Sequence, residues 1–171
     1  IEIKVHQNNK RFIYFQNKLL ISKTNEESEE YDKIIFCRRD IEEIEIPSFI
    51  KIIGSYSFNK CDKLKSITFE SNSNLEVIEE DAFSYSSIES ISIPPTVKSI
   101  KKNAFYSSQL KYVYFQPNSE LEMIGKNAFS RTEIESISIP SNVTLIANHA
   151  FEYCEELTKV IISENSKLQI I

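Results

Sequence analysis

A solenoid of stacked coils, α/β to mainly β in class, is the fold this sequence predicts, and three observations predict it. A block of about two dozen residues recurs from position 41 onward; IESISIPPTVKSIKKNAF at 88–105 and IESISIPSNVTLIANHAF at 134–151 are plainly copies. Each block opens with apolar residues at its first, fourth and sixth positions, and in a strand the fourth and sixth share one face. Each complete block then reaches a small residue followed by Phe. Self-similarity at such a period describes units that bury their apolar face only by stacking on neighbours.

Residues 1–40 do not repeat. IEIKVHQ alternates apolar and polar like an exposed strand, RFIYFQNKLLIS is a dense apolar run that reads as a second strand, and KIIFC at 33–37 reads as a third. The acidic stretch 26–30 between them lacks the spaced oxygen ligands and turn glycine of a calcium loop and reads as a solvated loop. A solenoid needs its first coil covered, so 1–40 is expected to be an N-terminal cap.

The repeats occupy 41–171 and start at Ile41, Leu64, Ile88, Leu110, Ile134 and Leu157, spacings of 23, 24, 22, 24 and 23 residues. A second apolar pair follows each opening strand, as in Ile50 with Ile53, Val97 with Ile100 and Leu168 with Ile171. The small-residue-plus-Phe step comes next, at Phe58, Phe83, Phe105, Phe129 and Phe151. One Phe per coil at an equivalent place predicts an internal ladder. Two kinds of unit alternate with a 46-residue period: those at Leu64 and Leu110 carry Phe at the sixth position, whereas those at Ile88 and Ile134 carry Ile followed by Pro94 and Pro140. A large side chain beside a smaller one fills space that two bulky neighbours would contest. The last unit stops before its Phe step, so the sequence reads as a piece of a longer protein continuing with further repeats or a cap.

Composition narrows function mainly by exclusion. A net charge of -5 and the absence of Lys/Arg clusters with interleaved aromatics argue against nucleic acid. No run approaches the roughly 18 apolar residues of a membrane span. The two glycines, Gly54 and Gly125, form no phosphate-binding loop and leave the turns to Asn, Ser, Asp and Pro. Cys37, Cys61 and Cys154 include no CxxC; Cys61 and Cys154 sit four coils apart, about 19 Å at about 4.8 Å per coil, beyond disulfide reach. A Cys37 to Cys61 bridge stays open.

The pattern LxxIxIPxxVxxIxxxAFxxC, seen in IEEIEIPSFIKIIGSYSFNKC, IESISIPPTVKSIKKNAFYSS and IESISIPSNVTLIANHAFEYC, resembles the BspA-type leucine-rich repeats, and the opening KIIFCRRDIEEIEIPSFIKIIGSYSF resembles their protist branch. The resemblance implies a right-handed solenoid with a parallel β-sheet on its concave face and short helical or 3-10 turns on the other side. It also implies kinship with surface adhesins that bind host, matrix or cell-surface proteins. Glycine after the Ile survives only at Gly54 and Gly125, and the final Cys becomes Ser86, Ser108 and Thr132 in three copies. The family has no shared binding residues to transfer.

His6 and His149 are the only histidines, neither in a metal-binding spacing nor beside an evident nucleophile, so no catalytic residue, metal or cofactor is expected. What the solenoid offers is a surface. Outward positions of the strands include Thr68, Ser90, Ser92, Tyr112, Tyr114, Ser136, Ser138 and Ile161. Tyr112 and Tyr114 stand out in a serine-rich field, either as anchors for a protein partner or simply as good strand formers. Asn142-Val143-Thr144 is a glycosylation sequon in a turn. These features point to a non-enzymatic protein-recognition module at the cell surface or outside the cell. The competing reading is a cytoplasmic or cytoskeletal scaffold repeat within a larger assembly. The partner and the oligomeric state are not specified.

Overall fold

The computed structural model describes residues 3–25, 27 and 29–170. Ile1, Glu2, Glu26, Ser28 and Ile171 lie outside them, and with them the start of the first expected strand, part of the acidic loop and the last residue of the second apolar pair.

The non-repeating segment differs from expectation at its start. Residues 3–7 form no strand; the chain turns instead, with Asn9 N donating to His6 O at 2.8 Å. The run RFIYFQNKLLIS is a hairpin, not one strand. β1 (Phe12–Phe15) and β2 (Leu19–Ser22) pair antiparallel across a turn whose residues Gln16 and Asn17 adopt φ of 47° and 54°. The reason is local: polar Gln-Asn-Lys interrupts the apolar run, and Asn tolerates the left-handed conformation that a tight turn demands. β3 (Lys33–Cys37) pairs antiparallel with β2 and, on its other edge, parallel with β5 (Ile52–Ile53) of the first coil.

From there each coil contributes one four-residue and one two-residue strand until the last. The longer strands are β4 (Glu43–Ile46), β6 (Ser66–Phe69), β8 (Ser90–Ile93), β10 (Tyr112–Phe115), β12 (Ser136–Ile139) and β14 (Lys159–Ile162). The shorter ones after β5 are β7 (Val77–Ile78), β9 (Ser99–Ile100), β11 (Met123–Ile124) and β13 (Leu145–Ile146). The fold is thus a β-solenoid with parallel sheets. The sequence foretold the longer strands; the short ones build a second sheet, in the order β1-β2-β3-β5-β7-β9-β11-β13, that the second apolar pair only hinted at.

Between the sheets runs the ladder. Phe58, Phe83, Phe105 and Phe129 are fully buried, and successive rings from Phe58 to Phe151 stack with centroids 4.8, 5.1, 5.2 and 5.5 Å apart. Ala82, Ala104, Ala128 and Ala150 pack beside them, because only a small side chain fits next to a stacked ring.

The helical or 3-10 turns expected beside this ladder are absent: no helix occurs among the described residues. The φ angle is positive at Tyr56 and Lys60, Asp81 and Tyr85, Asn103 and Ser107, Asn127 and Arg131, and His149 and Tyr153. One left-handed residue every fourth position prevents a right-handed helix from propagating. The intervening amides point along the solenoid instead. Phe58 N donates to Ala82 O, Phe83 N to Ala104 O, Phe105 N to Ala128 O and Phe129 N to Ala150 O, at 2.7–2.8 Å. The turns therefore form a hydrogen-bonded ladder of their own, satisfying buried backbone that a helix would have satisfied internally.

The longer-strand sheet is not uniform. β4 with β6, β8 with β10, and β12 with β14 each align four residue pairs. β10 with β12 aligns only Tyr112 with Ser136, and no ladder joins β6 to β8, so the sheet splits into four strands and two. The cause is the residue just after the strand. Glu70 N donates to Ile46 O at 3.0 Å and Gln116 N to Ile93 O at 3.1 Å, whereas Pro94 and Pro140 at the equivalent place have no N–H to give.

Candidate interaction surface

The outward residues of the four-stranded sheet fall into rows set by register. Tyr112 lies between Ser90 and Ser136, Tyr114 beside Ser92, Ser136 beside Lys159 and Ser138 beside Ile161. Seven of the eight sequence-nominated surface residues thus share one sheet. Thr68 is the exception: it pairs with Glu45 in the separate two-stranded sheet, across the joint that has no ladder. Tyr112 and Tyr114 are 56% and 58% exposed, so more than half of each amphipathic side chain is available for contact.

Their polar ends differ. The Tyr112 hydroxyl donates to Glu135 Oε1 at 3.0 Å, and that carboxylate raises the phenol pKa by holding its proton. The Tyr114 hydroxyl has no such tether. One ring is therefore positioned and the other can adapt. Gln116 Nε2 donates to Ser92 Oγ at 3.2 Å, fixing part of the surrounding polar field. Along the edge where the strands begin, Lys65, Glu89, Lys111 and Glu133 alternate in sign with N–O separations of 3.6, 4.0 and 3.7 Å. Such loose exposed pairs add little stability but present a charged rim.

Sequence reasoning missed two clefts at the opposite edge. One of about 600 Å³ is lined by Phe69, Asn72, Pro94, Thr96 and Gln116, and its counterpart of about 440 Å³ by Phe115, Gln116, Asn118, Pro140 and Asn142. They sit at the two joints where proline follows the strand, with the half-buried Phe69 and Phe115 at their floors. The 46-residue alternation was the available signal.

The other nominated residues are placed as follows. Asn142 is half-buried on the wall of the second cleft, its Nδ2 donating to Ser119 O and its Oδ1 accepting from Lys167 Nζ, both at 2.8 Å. His149 is exposed, at φ 62°, with Nδ1 3.2 Å from Glu152 Oε1; His6 Nδ1 accepts from Asn8 N at 3.2 Å. No helix is long and apolar enough to cross a membrane among the described residues. At the terminal position of three units the hydroxyl or thiol donates to a ladder carbonyl, Ser108 to Phe105 O, Thr132 to Phe129 O and Cys154 to Phe129 O of the preceding coil, at 2.8–3.0 Å, whereas the equivalent Ser86 hydroxyl is buried without a partner.

Comparison with known proteins bears on this surface. A model described as BspA type Leucine rich repeat region matches residues 29–167 in six copies. No curated protein matches the sequence. Among solved structures, the pneumococcal vaccine antigen PcpA is 33% identical, with a TM-score of 0.70 over 72% of this chain and 31% of its own. A leucine-rich repeat protein from Eubacterium ventriosum shares the fold at 22% identity, with a TM-score of 0.70 over 90% of this chain and 44% of its own. A leucine rich cell surface protein from Faecalibacterium prausnitzii shares it at 20% identity, with a TM-score of 0.57 over 97% and 56%. The chain spans between about a third and just over half of the length of these structures.

Proposed function

The chain belongs to the BspA-type leucine-rich repeat family, and on that premise we propose that it is a non-enzymatic protein-recognition module of adhesin type, displayed at the cell surface or outside the cell. In this reading residues 1–40 serve as the N-terminal cap. The partner is a host, matrix or cell-surface protein that docks on the longer-strand sheet, which the family pattern makes the concave face. The observation that carries the reading is the adjacency of Tyr112 and Tyr114, more than half exposed, among Ser90, Ser92, Ser136 and Ser138, with Ile161 two strands on. Small hydroxyl side chains let a partner approach the sheet closely. The two rings then supply contact area at low entropic cost, as hot-spot residues do at the centre of an interface.

Two comparisons support the compartment: PcpA is described as a vaccine antigen and the Faecalibacterium prausnitzii protein as a cell surface protein. Asn142 is the proposed glycan acceptor; attachment at Nδ2 leaves one N–H to keep the bond to Ser119 O, and glycosidase treatment of secreted protein reports it by a change in mass. The main test is affinity capture from cell-surface and matrix extracts, comparing the intact chain with Tyr112→Ala/Tyr114→Ala. The double variant should weaken capture by roughly 100-fold, about 2–3 kcal/mol, while unfolding within a few degrees of the parent. Equal capture by a folded variant rejects the site.

A further inference from the structure

The end of β3 meets the first coil at two thiols. Cys37 and Cys61 are both fully buried and unbonded to each other; the Cys37 thiol donates to Arg38 O at 3.4 Å, and each of the two thiols is the largest single influence on the other's ionisation. The backbone of Cys37 is tied to the turn that carries Cys61, since Cys37 N donates to Ser57 O at 2.9 Å. Arg39 closes over them: its Nη1 lies 3.2 Å from Cys61 Sγ and donates to Cys37 O and Ser57 O, both at 2.9 Å, while its guanidinium sits 4.8 Å above the Phe36 ring. A half-buried guanidinium clamp on a sulfur is not needed by the repeat. The same position is filled by Ser86, Ser108 and Thr132 in other coils, where the one adjacent arginine, Arg131, lies over the Tyr153 ring instead, and Cys154 has Thr132, not a thiol, as its neighbour at 3.3 Å.

We propose that Cys37 and Cys61 are a latent disulfide pair that staples the N-terminal hairpin segment to the first coil when the protein meets an oxidising thiol–disulfide pool, with Cys61 as attacking thiol and Arg39 as the residue that positions and activates it. The two thiols are electrostatically unequal, as such a step requires. Cys61 is lowered by the neighbouring Cys37 thiol, against burial, and by the Arg39 charge, whereas Cys37 is raised by the neighbouring Cys61 and by burial. In the exchange, the Cys61 thiolate attacks one sulfur of a low-molecular-weight disulfide and expels one thiolate. Cys37 then gives its proton to the expelled thiolate and attacks the Cys61 sulfur of the mixed disulfide, releasing the second thiolate. The small disulfide is reduced to two thiols, and one protein disulfide is formed. Because both sulfurs are buried, the reagent enters through local opening of the hairpin from the coil.

The experiment uses the full chain, fully reduced and then equilibrated with oxidised glutathione, with and without urea below the unfolding transition. The titratable thiols should fall from three to one, the survivor being Cys154, and peptide mapping should find Cys37 joined to Cys61. Closure should be faster in urea. The cross-link should raise Tm by roughly 5–10 °C, reversibly on reduction. Cys61→Ser, the exchange the repeat itself makes, should abolish the shift, and Arg39→Gln should slow closure severalfold without changing its product. Three free thiols after oxidation in urea, glutathione retained on Cys61, or a bridge through Cys154 overturns the pairing. An unchanged closure rate in Arg39→Gln overturns the part assigned to the arginine.

Discussion

Where the coil opening at Leu110 meets the coil opening at Ile88, β8 and β10 align four residue pairs and Gln116 N donates to Ile93 O; where that coil meets the one opening at Leu64, β6 and β8 share no ladder, and Pro94 stands in the place of Gln116. On the Phe side of the same two joints nothing changes. Phe83 with Phe105 and Phe105 with Phe129 stack at 5.1 and 5.2 Å, and the turn amides cross both joints at 2.7–2.8 Å. Stacking is thus set by the ladder and the turns. The longer-strand sheet is free to vary, which is where a recognition surface and two clefts are found.

Breaking the constant side should cost most. Phe105→Ala removes a fully buried ring between two stacked partners and should destabilise by about 3–5 kcal/mol, lowering Tm by roughly 10 °C or more in thermal unfolding. Converting one joint into the other costs less. Gln116→Pro removes the amide that reaches Ile93 O and should cost about 1 kcal/mol in urea titration, with Tyr112 and Tyr114 strand amides exchanging faster. The smallest effect is a pH dependence where β3 meets the coils. Glu79 is partly buried, which opposes its ionisation, but Lys33 Nζ at 2.7 Å and Ser55 N at 2.9 Å outweigh this and lower its pKa below the ordinary glutamate value. A depressed carboxylate pKa contributes stability that is whole above the unfolded value of about 4.3 and fades as pH falls through the folded one. The pair, with about a quarter of each side chain exposed, should contribute under about 1 kcal/mol. Glu79→Gln should flatten the acid limb of the stability profile accordingly.

Much of this could be read from the chain because it is periodic. Ile44 and Ile46, or Ile91 and Ile93, recur with their neighbours often enough to fix strand faces, and Phe83, Phe105 and Phe129 fix the ladder. The second sheet was less legible, since a two-residue strand such as Ile52–Ile53 carries no alternation. The left-handed turns carry no local signal because Tyr56, Lys60, Tyr85 and Arg131 are not residues that announce positive φ; tertiary hydrogen bonds hold them there. Pro94 and Pro140 were visible from the start, but their effect depends on which neighbouring carbonyl they fail to reach, and that is a property of the stack. The Tyr112 and Tyr114 pairing with serines followed from strand register, whereas the tether from Tyr112 to Glu135 crosses coils and had no local signal.

Residue-resolved amide hydrogen exchange tests the stacking most directly. The amides of Phe58, Phe83, Phe105 and Phe129 should be protected to a similar, near-global degree, and Glu70 and Gln116 should be well protected, while the β8 amides facing β6 exchange markedly faster. Rapid exchange at the Phe amides, or equal protection of β8 on both of its edges, would contradict a stack held by its turns and Phe ladder and loosened at every second joint.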